Sequence, residues 1–216
     1  MLSLGLLISC SHKPTTPEGA NPCFVMIVEG KTKELQENLV ECKKANNRHA
    51  TSLLMFAASR EQIPAMELLL QDGADLDEYD FNGDTALFYA ASTRKNKAIE
   101  WLLQKGASPK SFRKDGISPL MISINNGNEE SWNLFLSAQG QIDDLNTANE
   151  DGWTPLFFAV RKENLKLVEK LLSLGAETQI LSKENDTPLT LADEQQWKDG
   201  IKLIKKYAEK NKKPKK

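Results

Sequence analysis

Polar and apolar positions recur along this chain in one long phrase. Its clearest copy is Asp151–Val160, D-G-W-T-P-L-F-F-A-V, where an Asp-Gly turn leads through Trp and Thr-Pro into an apolar run. Thr154 is placed to cap a helix. Pro155 fits that helix's first turn, where a missing N–H leaves no acceptor unsatisfied. Gly83–Ala91, G-D-T-A-L-F-Y-A-A, repeats the phrase, and weaker copies start at Ser52, Ser118 and Thr187. The capping positions 52, 85, 118, 154 and 187 are spaced by 33, 33, 36 and 33 residues.

A second apolar run at helical spacing follows each copy after a short polar gap. It carries Ile63, Met66 and Leu69, then Ile99, Trp101 and Leu102, then Trp132, Phe135 and Leu136. Val168 and Leu171 continue the series, and Ile201, Ile204 and Tyr207 end it. Trp101 and Trp132 thus fall at expected core positions. Gly73, Gly106 and Gly175 close three of these runs, as residues that end a helix in the left-handed conformation. In the third unit Gln139 holds that place, with Gly140 next. Helical hairpins at such a period stack into a solenoid, so the fold class is all-α.

Upstream, Phe24–Val28 is apolar, Gly30 breaks it, and Leu35, Leu39 and Val40 mark a second helical face. This is a degenerate hairpin suited to capping the stack. The 36-residue step places three extra residues within about Ser137–Asp144, a lengthened connection on the rim. It is either a tolerated insertion or a contact built for a partner.

Five copies of T-P-L-like phrases in register resemble the ankyrin repeat family, whose 33-residue unit is a β-turn and two helices. The resemblance covers roughly residues 24–208. It implies an ankyrin repeat solenoid over 23–208: five helix-turn-helix repeats with β-turn fingers, plus the N-terminal capping hairpin. The family's T-P-L-H has His in its fourth place, where this chain has Met55, Phe88, Met121, Phe157 and Thr190. The His network between repeats is therefore absent, and apolar packing is expected to replace it.

In similar ankyrin proteins the finger positions and the ends of the first helices face the concave side and contact partners. Here those positions are Tyr79, Phe81, Asn82 and Asp84, then Phe112, Lys114, Asp115 and Ile117. Next come Ala148, Glu150, Asp151 and Trp153, and finally Leu181, Lys183, Glu184 and Asp186. The helix-end pairs are Ser92-Thr93, Asn125-Asn126 and Arg161-Lys162. Tyr79, Phe81, Phe112, Ile117 and Trp153 are large and apolar at places expected to be wet. Such a row marks an interaction surface unless each ring packs onto the adjacent turn.

The first ten residues are apolar and end in Leu7-Ile8-Ser9-Cys10. They are shorter than the roughly 20 residues a membrane span needs. They resemble the lipobox of bacterial lipoproteins, which implies an export signal at 1–10 with Cys10 acylated. No Lys or Arg precedes the run, a departure from that pattern that leaves an upstream start, another form of export and no export open. Residues 11–22, with three Pro, read as a tether. If Cys10 carries lipid, Cys23 and Cys42 remain as a pair. They open and close an antiparallel hairpin, so a disulfide between them would staple the cap; two unpaired thiols are the alternative.

Net charge is −2, so the chain as a whole offers no case for nucleic acid. Lys205–Lys216 holds seven Lys against Glu209, and 209–216 reads as a Lys-rich tail. It is a solvated end or a contact for a membrane surface or acidic partner. His12, in the tether, and His49, just before the first repeat, are the only His residues, and neither lies in a predicted pocket where a Ser-His-Asp or Cys-His pair could be built. No Cys/His spacing suits a metal and no Gly-rich loop suits a phosphate. The expectation is therefore a protein with no catalytic residues, metal or cofactor.

Function reads as binding of another protein, one to one, in the periplasm, with membrane contact only through an N-terminal lipid. The chain also resembles the periplasmic ankyrin proteins by which predatory bacteria protect themselves from their own secreted peptidoglycan endopeptidases. That resemblance implies an immunity protein that caps the cleft of a DD-endopeptidase of the penicillin-binding-protein class. An envelope scaffold and a secreted effector binding a host protein are the alternatives.

Overall fold

The computed structural model describes residues 22–45, 50–138 and 145–211. Cys10, the export and tether segments up to residue 21, Gln139–Asp144 and the last five residues lie outside the described residues.

Among the described residues every regular element is a helix. The five repeats pair α4 (Ala50–Ser59) with α5 (Ile63–Gln71), α6 (Ala86–Ser92) with α7 (Asn96–Gln104), and α8 (Pro119–Asn125) with α9 (Glu129–Ser137). They continue with α10 (Pro155–Arg161) and α11 (Leu165–Ser173), and end with α12 (Pro188–Glu194) and α13 (Lys198–Asn211). Ahead of them stand α1 (Pro22–Val28), α2 (Thr32–Glu37) and α3 (Leu39–Ala45). The first helices α4, α6, α8, α10 and α12 stack in one layer, and α7 on α9 and α11 on α13 belong to a second.

Residue size explains the close stacking of the first layer. Ala57, Ala90, Ser123, Ala159 and Ala192 hold the same place in successive repeats, and each is fully buried. A larger side chain there would force neighbouring helices apart. Ser123 satisfies its hydroxyl by donating to the Leu120 carbonyl at 2.7 Å. The place of the missing His is filled as expected: Met55, Phe88, Met121 and Phe157 are buried between repeats. Thr190 lies in the last repeat, is exposed, and forms a reciprocal capping box with Thr187.

Thr85 and Ser118 cap their helices, accepting from the N–H groups of Phe88 and Met121 at 3.2 Å. Thr154 departs from expectation. It holds the cap position with extended backbone, yet its side chain makes no cap bond and its Oγ1 is buried without a partner. Ser52 is not a cap either: it lies inside α4, which starts at Ala50. No Gly or Pro precedes it closely, so nothing stops the helix from beginning earlier.

Each pair of helices is joined by the same turn. Glu61, Arg94, Gly127, Glu163 and Gln196 have φ of 58°, 60°, 67°, 51° and 56°. The next N–H in each case bonds back to the small buried residue of the first helix, as Gln62 does to Ala57 (3.0 Å) and Lys95 to Ala90 (2.9 Å). Gly30, with φ 68°, and the Lys31-to-Met26 bond at 2.8 Å make the N-terminal hairpin turn in the same way. Cys23 and Cys42 are joined there, with Cα atoms 5.8 Å apart. The expected single second helix is broken at Asn38, whose Nδ2 donates to the Glu34 carbonyl at 2.8 Å. The break shifts the buried face. Leu35 and Leu39 stay inside, whereas Val40 is 65% exposed rather than part of that face.

The connections between repeats form hydrogen-bonded fingers. Asp80 bonds Asp84, Arg113 bonds Ile117, Asn149 bonds Trp153 and Ser182 bonds Asp186, N–H to carbonyl at 2.8–3.1 Å. Successive fingers are bonded to each other: Lys114 N–H to Asn82, Glu150 to Asp115 and Lys183 to Asp151. Gly83, Gly116 and Gly152 lie at that contact with positive φ. A Cβ on Gly116 would stand 2.7 Å from the Asn149 backbone, and one on Gly152 would stand 2.7 Å from Leu181. Among the described residues the fourth finger meets no further one, and it carries Asn185, φ 64°, in the same place.

On the opposite layer Trp132 is buried, as expected. Trp101 is only partly so, with its indole N–H donating to Glu67 at 3.2 Å and Lys105 over its ring. A groove between α9 and α11 is lined by Trp132, Asn133, Leu167, Lys170 and Tyr207. No helix of the described residues is long and apolar enough to cross a membrane.

Candidate functional site

The candidate site is the face lined by fingers and first helices. Asp80 organises its first finger. One carboxylate oxygen accepts from the N–H groups of Asn82 and Asp84, both at 2.9 Å. The other accepts from the Tyr89 hydroxyl on α6 at 2.9 Å, tying finger to helix. Burial, then the bond to Asp80, holds the Tyr89 hydroxyl above its ordinary range, so it stays a donor. Asn149 and Ser182 brace their fingers from the same place as Asp80.

On this braced finger Tyr79 and Phe81 are 67% and 79% exposed. These two aromatics are where the sequence places them. Asp84 and Ile117, expected to face a partner, are instead buried at 7% and 5%. Each is the closing residue of its finger, one step before the cap, so its side chain turns down onto the helix rather than out. Ile117 joins the core. Asp84 lies 3.5 Å from the Arg113 Nε, which is equally far from Asp115 and stacks over Phe88 at 5.4 Å. Burial pushes the Asp84 carboxyl up to about 6, helped by Asp80 and Asp115 and opposed by Arg113.

Trp153 holds the corresponding place before α10 and is half-buried. It stacks on Phe157 and meets Phe158 edge-on, with centroids 5.6 Å away in both cases. Arg161 then lies over both Trp153 (4.7 Å) and Phe158 (5.1 Å) and donates to Asn125 Oδ1 at 2.6 Å. Asn126 donates to the Ser92 carbonyl at 3.1 Å. Lys114 and Glu150 have exposed side chains, and Asn82 and Phe112 are half-buried.

The face therefore brings together Tyr79 and Phe81 at one finger and an Arg-aromatic row along α10. Tyr89, Arg94 and Arg113 belong to it as well, and the sequence pattern did not single them out. Arg94 sits in the turn after α6, one place beyond the expected helix-end pair. Among the described residues no group of three or more His, Cys, Asp or Glu side chains is placed to hold a metal ion.

Comparison with known proteins accords with this architecture. A family model described as ankyrin repeats (3 copies) matches residues 24–113, 95–182 and 120–214. An ankyrin repeat protein of Rickettsia bellii is 30% identical over 90 residues, 40% of this chain and 54% of the relative. One of Borreliella burgdorferi is 33% identical over 97 residues, 44% of this chain and 40% of the relative. One of Acanthamoeba polyphaga mimivirus is 30% identical over 81 residues, 11% of the relative's length. The matched stretch thus spans about half of each relative or less. Together with the five stacked hairpins and their bonded fingers, the match places the chain in the ankyrin repeat family, whose repeats serve as modules for binding other proteins.

Proposed function

We propose that this chain is a non-catalytic binding module of the bacterial envelope, an immunity protein whose concave face occludes a peptidoglycan-cleaving DD-endopeptidase. The observation that carries the binding reading is the pair Tyr79 and Phe81, exposed on a finger that Asp80 and Tyr89 hold rigid. Large aromatic anchors dominate interface energies, and a braced backbone lowers the ordering cost of docking them. The Cys23–Cys42 disulfide supports an oxidising compartment, and a periplasmic site with acylated Cys10 fits it.

The test uses the purified chain, a purified DD-endopeptidase of the penicillin-binding-protein class and cross-linked muropeptides. The expected result is a 1:1 complex that stops hydrolysis. A Tyr79→Ala/Phe81→Ala variant should need about 30-fold more protein for the same inhibition, as loss of one strong anchor implies. Binding with unimpeded hydrolysis would favour the scaffold reading, and absence of a complex would remove the endopeptidase as the partner.

A further inference from the structure

Three cations gather on the finger-side face without a salt bridge among the described residues. Arg161, at the end of α10, lies on Trp153 and Phe158 and is braced by the Asn125 side chain. Lys162 follows it as the residue that ends the helix. Arg94, two repeats earlier, donates across to the Asn126 carbonyl. Among the described residues none of the three forms an ion pair. Lys105, Lys166 and Arg113, in contrast, have acidic neighbours: Lys105 reaches Glu67, Lys166 reaches Glu129, and Arg113 lies between Asp84 and Asp115.

The three also oppose one another. Burial first, and then the charges of Arg161 and Arg94, hold the Lys162 ammonium below its ordinary range, and burial does the same to Arg161. Like charges gathered without an internal partner leave a positive potential that an arriving anion relieves. Stacking on two aromatic rings fixes the plane of the Arg161 guanidinium in advance. The acceptor it now uses is a neutral amide oxygen, which a carboxylate outcompetes.

We propose that this face receives an acidic segment of the partner protein, with one carboxylate on Arg161 and its neighbours on Arg94 and Lys162. The proposal rests on the protein-binding reading above and names the chemistry of what is bound. The size of the patch selects a short segment over a polyanion. Glu163 follows Lys162 directly, and Glu194 holds on α12 the place that Arg161 holds on α10; both are exposed. A continuous phosphate backbone or an anionic membrane would meet these carboxylates, whereas two or three adjacent Asp or Glu residues need not.

Fluorescence anisotropy with labelled hexaglutamate and hexaglutamine peptides tests this on the full chain. Hexaglutamate should bind, more weakly as salt rises, and hexaglutamine should not. An Arg94→Gln/Arg161→Gln/Lys162→Gln variant should lose at least 10-fold in affinity while remaining folded at the assay temperature by circular dichroism. Arg161→Lys, which keeps the charge and the packing stem, should lose part of the affinity because the fork is gone. Equal binding of the two peptides, no binding of hexaglutamate at low salt, or unchanged binding by both variants would overturn the proposal. So would tighter capture of duplex DNA or phosphatidylglycerol vesicles through the same three residues. An endopeptidase complex without hexaglutamate binding would remove the acidic-segment assignment alone. Hexaglutamate binding lost in the variant, without such a complex, would support the assignment and remove only the enzyme.

Discussion

At the scale of single residues, two threonines at the same place in the repeat do different work. Thr85 accepts the Phe88 N–H and touches Ser111 at 3.1 Å, whereas the Thr154 hydroxyl is buried with no partner. Thr85→Val is expected to cost about 1 kcal/mol, the usual value of a lost cap. Thr154→Val should be neutral or stabilising, because it removes an unsatisfied polar atom without changing shape. Urea unfolding of the two variants checks the contrast, and equal losses would contradict it. Asp84 makes a second prediction. Its carboxyl titrates at about 6 in the folded chain, above its ordinary 3.8. Between those values the folded chain holds a proton that the unfolded chain has released, so this residue's contribution to stability grows as pH falls through the window. Asp84→Asn should therefore be the more stable protein at pH 7 and converge with the wild type near pH 4. A gap in urea midpoint that ignores pH would show that the carboxylate is not its source.

Among elements, the turns within the repeats carry identifiable strain. Four of the five repeat turns place a non-glycine residue at positive φ, where an L side chain costs roughly 1–2 kcal/mol. Glu163→Gly should recover about 0.5–1 kcal/mol after the added chain entropy of glycine is subtracted. Arg94→Gly should gain less, since it gives up the bond to Asn126. Chemical denaturation of both variants would show whether the turns are strained as their backbone angles indicate. The N-terminal hairpin is held differently, by a covalent bond between residues 19 apart in sequence. Reducing it should release the amide protons of α1–α3 to exchange while those of α10–α13 stay protected, because each repeat is stabilised only through its neighbours. Uniform loss of protection along the chain would mean that the array unfolds as one unit.

For the molecule as a whole, the period carried most of the information. The spacing of Thr85, Ser118 and Thr187 was enough to place helices, turns and stacking, because each repeat faces the same packing problem. The Cys pair was legible for the same reason: hairpin geometry brings its ends together. The face was harder to read. A position one step before a cap looks solvent-facing in the alignment of repeats, but short connection length turns Asp84, Ile117 and Trp153 down onto their helices. Tyr79 and Phe81, farther out on the finger, escape that constraint and stay exposed. Arg94 was not legible because it sits in the turn after α6, one place beyond the helix-end pair that the repeat pattern singles out.

The bonded fingers also give the array a direction of growth. At three boundaries a glycine leaves room for the following finger, and at the fourth Asn185 occupies that room. A repeat duplicated after Ser182–Asp186 would meet the Asn185 side chain before its finger could dock. Such an addition needs Asn185→Gly first, so a single side chain in this finger acts as a block against docking another one.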